Sequence, residues 1–144
     1  MRLSTKTLYG TRLMFELAIT NKKGVIRLSE IVRNQGLSEK YSEQIISQLK
    51  AAGLVLAQRG AEGGYMLAKP AASITMKDIV ETLEGSLALV NSEDEPEENE
   101  SSIFIAKNIW GKISLTIEEA LSRITLADLV NNYNNRSSEL HYEI

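Results

Sequence analysis

Arg59-Gly60-Ala61-Glu62-Gly63-Gly64-Tyr65 lies between two short apolar runs, Leu54-Val55-Leu56 and Tyr65-Met66-Leu67. Three glycines within five positions mark a tight turn, because glycine takes positive φ at little cost. The flanking runs are then the strands of a hairpin. Arg59 stands at the mouth of that turn with little apolar cover. Alone, a surface hairpin with a solvated arginine explains this stretch as well as a binding element does. The residues on either side decide between the two.

Two helices precede the turn. Ser38 is a good N-cap, and Tyr41, Ile45, Ile46 and Leu49 form a helical stripe to Ala52, closed by Gly53. Before it, Ser29 reads as the N-cap of a shorter helix, Glu30 to Gln35, which buries Ile31 and Val32 and stops at Gly36. Two helices joined by a short glycine-containing turn and leading into a hairpin predict a winged helix-turn-helix. Lys40, Glu43, Gln44, Ser47 and Gln48 fall on the outer face of the second helix, with side chains able to bond base edges and phosphates. Any amphipathic helix has a polar face, but that does not account for the arginine-tipped hairpin directly downstream. Further upstream, Thr5 to about Thr20 reads as a helix whose apolar face includes Leu8, Leu13, Met14 and Phe15. Asn21-Lys22-Lys23-Gly24 breaks it, and Val25-Ile26-Arg27-Leu28 has the composition of a small strand.

Charge points the same way. The net charge of −3 conceals two unequal halves. Residues 1–70 hold 11 Lys or Arg and 5 Asp or Glu, a net of +6, whereas residues 71–144 hold 5 and 14, a net of −9. A basic half on an acidic protein suits an anionic partner, although the two halves also attract each other. The 144 residues suffice for one domain with a modest core. No apolar run approaches the roughly 18 residues of a membrane span, and no signal-peptide pattern is seen. A cytoplasmic location is therefore expected. There is no cysteine, which excludes disulfides and thiolate metal sites.

Downstream, Thr75 with Asp78 makes a capping pattern for a helix with Met76, Ile79, Val80 and Leu83 on its core face, ended by Gly85. Residues 91–100 include six acids and one proline and no apolar residue, so a solvated loop is expected. From Ser101 the chain turns helical again. Ile103, Trp110, Ile117 and Ile124 are spaced by seven, with Ala106, Ile113 and Ala120 between them. Such a seam seeks a partner helix, and the simplest partner is the same helix in a second subunit. Packing on the chain's own domain is the alternative. Thr125 and Asp128 open a last helix with Leu126, Leu129 and Val130, and the polar tail after Asn131 is expected to lack fixed structure.

These residues resemble the Rrf2 (IscR/CymR/NsrR) family of bacterial winged-helix repressors. The resemblance is carried by Met1-Arg2-Leu3-Ser4-Thr5-Lys6, Leu37-Ser38 with Tyr41 and Glu43-Gln44, Leu54-Val55, the Arg59–Tyr65 turn, Ile79 to Gly85, Trp110 and Thr125-Leu126-Ala127-Asp128-Leu129. It covers about residues 1–131. It implies a mainly α fold with a small β-hairpin: a winged helix-turn-helix domain (1–85), an acidic loop (86–100), dimerisation helices (101–131) and a tail (132–144). It implies base contacts at Tyr41, Glu43, Gln44, Ser47 and Arg59, and phosphate contacts at Arg2, Ser4, Thr5 and Lys40. The wing turn is Gly60, Gly63, Gly64 and Tyr65. Ile103, Trp110, Ile113, Ile117 and Ile124 would form a homodimer interface.

Two departures stand out. Cluster-binding members carry three cysteines before the dimerisation helix, and these positions fall here on about Ser92, Glu98 and Phe104. None can supply a thiolate, so no iron–sulphur cofactor is expected, and the pattern is closer to the cysteine-free CymR-like branch, which implies a partner protein. The second is Ser42, where members usually have leucine, on the face of Ile45, Ile46 and Leu49. The expectation is a metal-free homodimeric repressor binding an inverted repeat in double-stranded DNA. Its signal is a regulatory partner protein, a small metabolite or protein concentration alone. The alternative is a protein-interaction module on the same fold, working through the acidic loop and the tail. An enzyme is disfavoured, because the only histidine is His141 in the tail and no nucleophile–base pair can be named.

Overall fold

Ser4 starts the first helix by accepting the Thr7 N–H at 3.2 Å. From there α1 (Thr5–Ile19) buries Leu13, Met14 and Leu17 along one side. The computed structural model describes residues 2–21, 24–90 and 99–142, with side chains through Arg136. Helices α2 (Leu28–Gln35) and α3 (Glu39–Ala51) pack across α1. Ser38 caps α3 by accepting the Tyr41 N–H, as its sequence predicts. The α2 start differs from expectation: Arg27, not Ser29, holds the N-cap position, and no side chain caps it. The cause lies one residue earlier. Ile26 exchanges two backbone hydrogen bonds with Tyr65, at 2.9 and 2.8 Å, so the chain leaves that bridge straight into the helix. The small strand expected over Val25–Leu28 is therefore a single bridged residue.

The hairpin pairs β1 (Val55–Gln58) with β2 (Gly64–Leu67) antiparallel, in the register Val55 to Leu67 and Gln58 to Gly64. Val55 and Leu67 point into the core, while Leu56, Ala57 and Gln58 are exposed. Helix α4 (Met76–Glu84) begins with a reciprocal capping box between Thr75 and Asp78. Thr125 and Asp128 make the same exchange at the head of α7 (Leu126–Tyr142). The two heads lie side by side: the Met76 N–H donates to the Ile124 carbonyl at 2.8 Å, and the Leu126 N–H to the Ile74 carbonyl at 2.9 Å. One core results, in which Leu13, Met14, Ile31, Ile45, Leu49, Ile74, Ile79 and Leu126 are wholly buried.

Between α4 and α7 runs one helical rod: α5 (Glu100–Ile105), a π-turn (Ala106–Trp110) and α6 (Gly111–Ser122). The π-turn carries one extra residue per turn, which interrupts the heptad seam read from the sequence. The Asn108 side-chain amide donates to the Phe104 carbonyl at 2.9 Å, inside this stretch. The rod stops at Ser122, so Ile124 lies in the connector whose carbonyl serves α4. Residues 91–98 of the expected acidic loop lie outside the described residues.

The tail expectation is corrected. Helix α7 continues through Tyr142, and its first half is anchored where Tyr133 packs edge-on against Phe15 of α1, with ring centroids 5.3 Å apart. Arg136 lies over the Tyr133 ring at 5.2 Å.

Candidate nucleic-acid interface

The outer face of α3 and the hairpin turn contain every predicted base-contacting residue. Glu43, Gln44 and Ser47 are exposed and make no hydrogen bond or ion pair with the described residues, which leaves their donors and acceptors free for a ligand. Lys40 is exposed at the head of the same helix. Tyr41 is different: it is half-buried, and its ring meets Tyr9 edge-on at 5.8 Å and 75°. Arg12 lies over Tyr9 at 5.6 Å and donates to the side chain and the backbone carbonyl of Gln35, at the end of α2. Arg12, Tyr9 and Tyr41 thus link α1 to the first turn of α3. Behind it the buried Glu16 carboxylate accepts from Asn34 and Gln35, both at 3.1 Å, tying α1 to α2.

The hairpin turn uses its glycines in two ways. Gly60 has φ of +116°, and the Gly63 N–H returns to its carbonyl at 3.0 Å. Gly63 and Gly64 do not need positive φ. A Cβ on Gly63 would run into the Gln58 carbonyl, and one on Gly64 into the Ile26 carbonyl. Both are there for close approach, Gly63 within the turn and Gly64 where Ile26 bridges to Tyr65. Arg59 is exposed and has no partner among the described residues. Arg27, which no sequence motif singles out, donates through Nη2 to the Ala61 carbonyl in the middle of the turn at 2.6 Å.

Arg2, Ser4 and Thr5 stand at the head of α1. Arg2 and Thr5 are exposed, but Ser4 is engaged within the fold. Its hydroxyl caps the helix, and its N–H donates to the Glu84 carboxylate from the end of α4. The Ser4 N–H, then the Ser4 and Thr7 hydroxyls, hold the Glu84 carboxyl below its ordinary value, with Lys6 nearby adding to the effect and partial desolvation opposing it. Ser42 is fully buried on the core face of α3, and its hydroxyl has no hydrogen-bond partner among the described residues.

On the rod, Ile103, Trp110 and Ile113 are about two-fifths exposed and Ile117 is half-buried; Ile124, in the connector, is exposed to the same extent. Part of α6 packs on α4, and Ser114 accepts the Leu89 N–H at 3.0 Å. Phe104 is 65% exposed.

The Rrf2 family model, described as "Iron-dependent Transcriptional regulator", matches residues 3–132. The chain belongs to the Rrf2 family. It is 38% identical to the HTH-type transcriptional regulator CymR of Bacillus subtilis, over 91% of each chain. It is 33% identical to the HTH-type transcriptional regulator IscR of Yersinia pseudotuberculosis, over 92% of this chain and 80% of the other. The structure of B. subtilis CymR, titled the global cysteine regulator of that organism, superposes with a TM-score of 0.78 at 36% identity, over 92% and 98% of the two chains. The T. potens IscR structure gives 0.75 at 39% identity, over 92% and 88%. The winged helix-turn-helix fold read from the sequence is thereby borne out. This chain is a DNA-binding transcriptional regulator of the Rrf2 family.

The family description names iron, and the donors of this chain do not suit an iron–sulphur cluster. Iron–sulphur clusters are held by cysteine thiolates, and this Rrf2 protein has no cysteine. No group of three or more His, Asp or Glu side chains among the described residues could hold a metal ion. Ser92 and Glu98 lie outside the described residues. Likewise, among the described residues no helix is long and apolar enough to cross a membrane.

Proposed function

We propose that this Rrf2 protein is a cytoplasmic, cluster-free repressor that binds an inverted-repeat operator as a homodimer. Each subunit lays α3 in a major groove and its hairpin in the adjoining minor groove. Glu43 accepts from cytosine N4, Gln44 bonds adenine in a bidentate pair, and Tyr41 and Ser47 complete the base contacts. Arg59 enters the minor groove, where the potential is most negative. Arg2, Thr5 and Lys40 hold phosphates, while Ser4, expected among them, is taken up by the α1 cap and Glu84. The dimer forms through the rod by Ile103, Trp110, Ile113 and Ile117, with Ile124 at its edge. Residues 1–85 act as the DNA-binding unit, 86–100 as a loop and 101–131 as the dimerisation unit, with 132–144 beyond them. No cofactor takes part, and the regulatory signal comes through a partner protein or a small metabolite, the mode suggested by similarity to CymR.

The observation that supports this reading best is that Arg59, Glu43, Gln44 and Ser47 have no side-chain partner among the described residues, beside a hairpin fixed by close backbone approach. Arg59→Ala and Gln44→Ala test it in a reporter strain. The reading predicts loss of regulation while the purified dimer stays intact. Unchanged regulation would favour the interaction-module alternative instead.

A further inference from the structure

Arg27 is the one arginine among the described residues that joins the helix-turn-helix to the hairpin turn. It sits at the N-cap position of α2, yet its side chain does not cap that helix. The guanidinium instead reaches across to Ala61, two residues along the turn from Arg59, and donates one N–H to the Ala61 carbonyl at 2.6 Å. The residue is exposed and has no acidic partner among the described residues. A guanidinium carries five donors in a rigid fork. Four therefore remain for a ligand at the hairpin turn, two residues along from Arg59, which has no partner among the described residues.

We propose that Arg27 is a second DNA-contacting arginine, anchored to the hairpin turn and bound to the phosphate backbone beside the groove that Arg59 enters. Resting on the hairpin placement proposed above, this adds a contact outside the turn sequence itself. The anchor matters chemically. A long arginine side chain loses rotamer freedom when it binds, and a donor already fixed to Ala61 has given up much of that freedom beforehand. The contact is to phosphate, so it raises affinity for all sequences alike and shows in the salt dependence.

The test measures dimer binding to a duplex recovered by the wild-type protein from a random pool, across a series of salt concentrations. Wild type, Arg27→Gln, Arg27→Lys and Arg59→Ala are compared, with circular dichroism and size-exclusion chromatography confirming fold and dimer for each. Removing one phosphate interaction from each subunit predicts that Arg27→Gln flattens the log K against log salt slope by about 1.8, at roughly 0.9 per phosphate. Affinity at moderate salt is expected to fall about 10-fold or more. Arg27→Lys keeps the charge and is expected to retain most of the slope. An Arg27→Gln slope equal to wild type overturns the proposal, whether or not affinity drops, because a purely structural clamp releases no counterions. If Arg59→Ala weakens binding while Arg27→Gln changes nothing, the hairpin placement stands and only this proposal fails. If Arg59→Ala also changes nothing, the placement itself is wrong.

Discussion

Ser42 places a hydroxyl with no partner among the described residues at the centre of the core face of the recognition helix. A buried, unsatisfied polar group costs about 1–3 kcal/mol. Ser42→Ala removes that group without adding volume, so urea denaturation is expected to show a gain of about 1 kcal/mol. A loss would mean that the hydroxyl has a partner. Glu84 works in the opposite direction. Its carboxyl is held below the ordinary value of 4.5 mainly by the Ser4 N–H. A depressed carboxyl stabilises the fold fully above its unfolded pKa, and the contribution fades as pH falls through the folded value. The stability gap between wild type and Glu84→Gln is therefore expected to be widest near neutrality and to close below pH 4.5. A gap independent of pH would remove the charge from the account. Ser42 is visible in the sequence through its helical spacing. Glu84 is not, because its partner is Ser4, 80 residues away.

The hairpin is legible because its glycines are local, although their roles are not. The sequence suggests positive φ throughout the turn, whereas only Gly60 there adopts it. Gly64 answers to the Ile26 carbonyl, a contact with a segment far upstream. Gly64→Ala is thus expected to push Ile26 off Tyr65 and cost about 1–3 kcal/mol, as overpacking does. Amide exchange at Ile26 and Tyr65 reads this directly, and retained protection would show that the segment has room to adjust. Gly10 makes the same point on α1. Glycine inside a helix costs about 1 kcal/mol against alanine, yet a Cβ there would strike the Leu83 side chain and lie 3.2 Å from Ile45. The helix accepts a poor former so that α1 and α4 can close up. In the sequence Gly10 is only a blemish in a helix, because propensity is local and packing is not.

For the molecule as a whole, the heptad seam points to the right element but to an idealised geometry. The π-turn at Ala106–Trp110 shifts the phase of the face, and the rod ends before Ile124. The α7 extension is not legible in the sequence, because the segment is polar and its anchor, Tyr133 on Phe15, joins two ends of the chain. The exposed Trp110 and Ile113 remain the face that a second subunit would cover. Charges there, as in Trp110→Asp with Ile113→Asp, are expected to yield a folded monomer in sedimentation with greatly weakened operator binding. A variant that stays dimeric would place the interface elsewhere. This cysteine-free chain is expected to read DNA sequence as a dimer with no cofactor. A competition titration of metal-depleted protein at about 150 mM salt, near physiological ionic strength, with a selected inverted repeat against the same duplex shuffled, checks this. The expected preference is at least about 10³-fold, the lower end for specific regulators. Equal affinity for the two duplexes would contradict it.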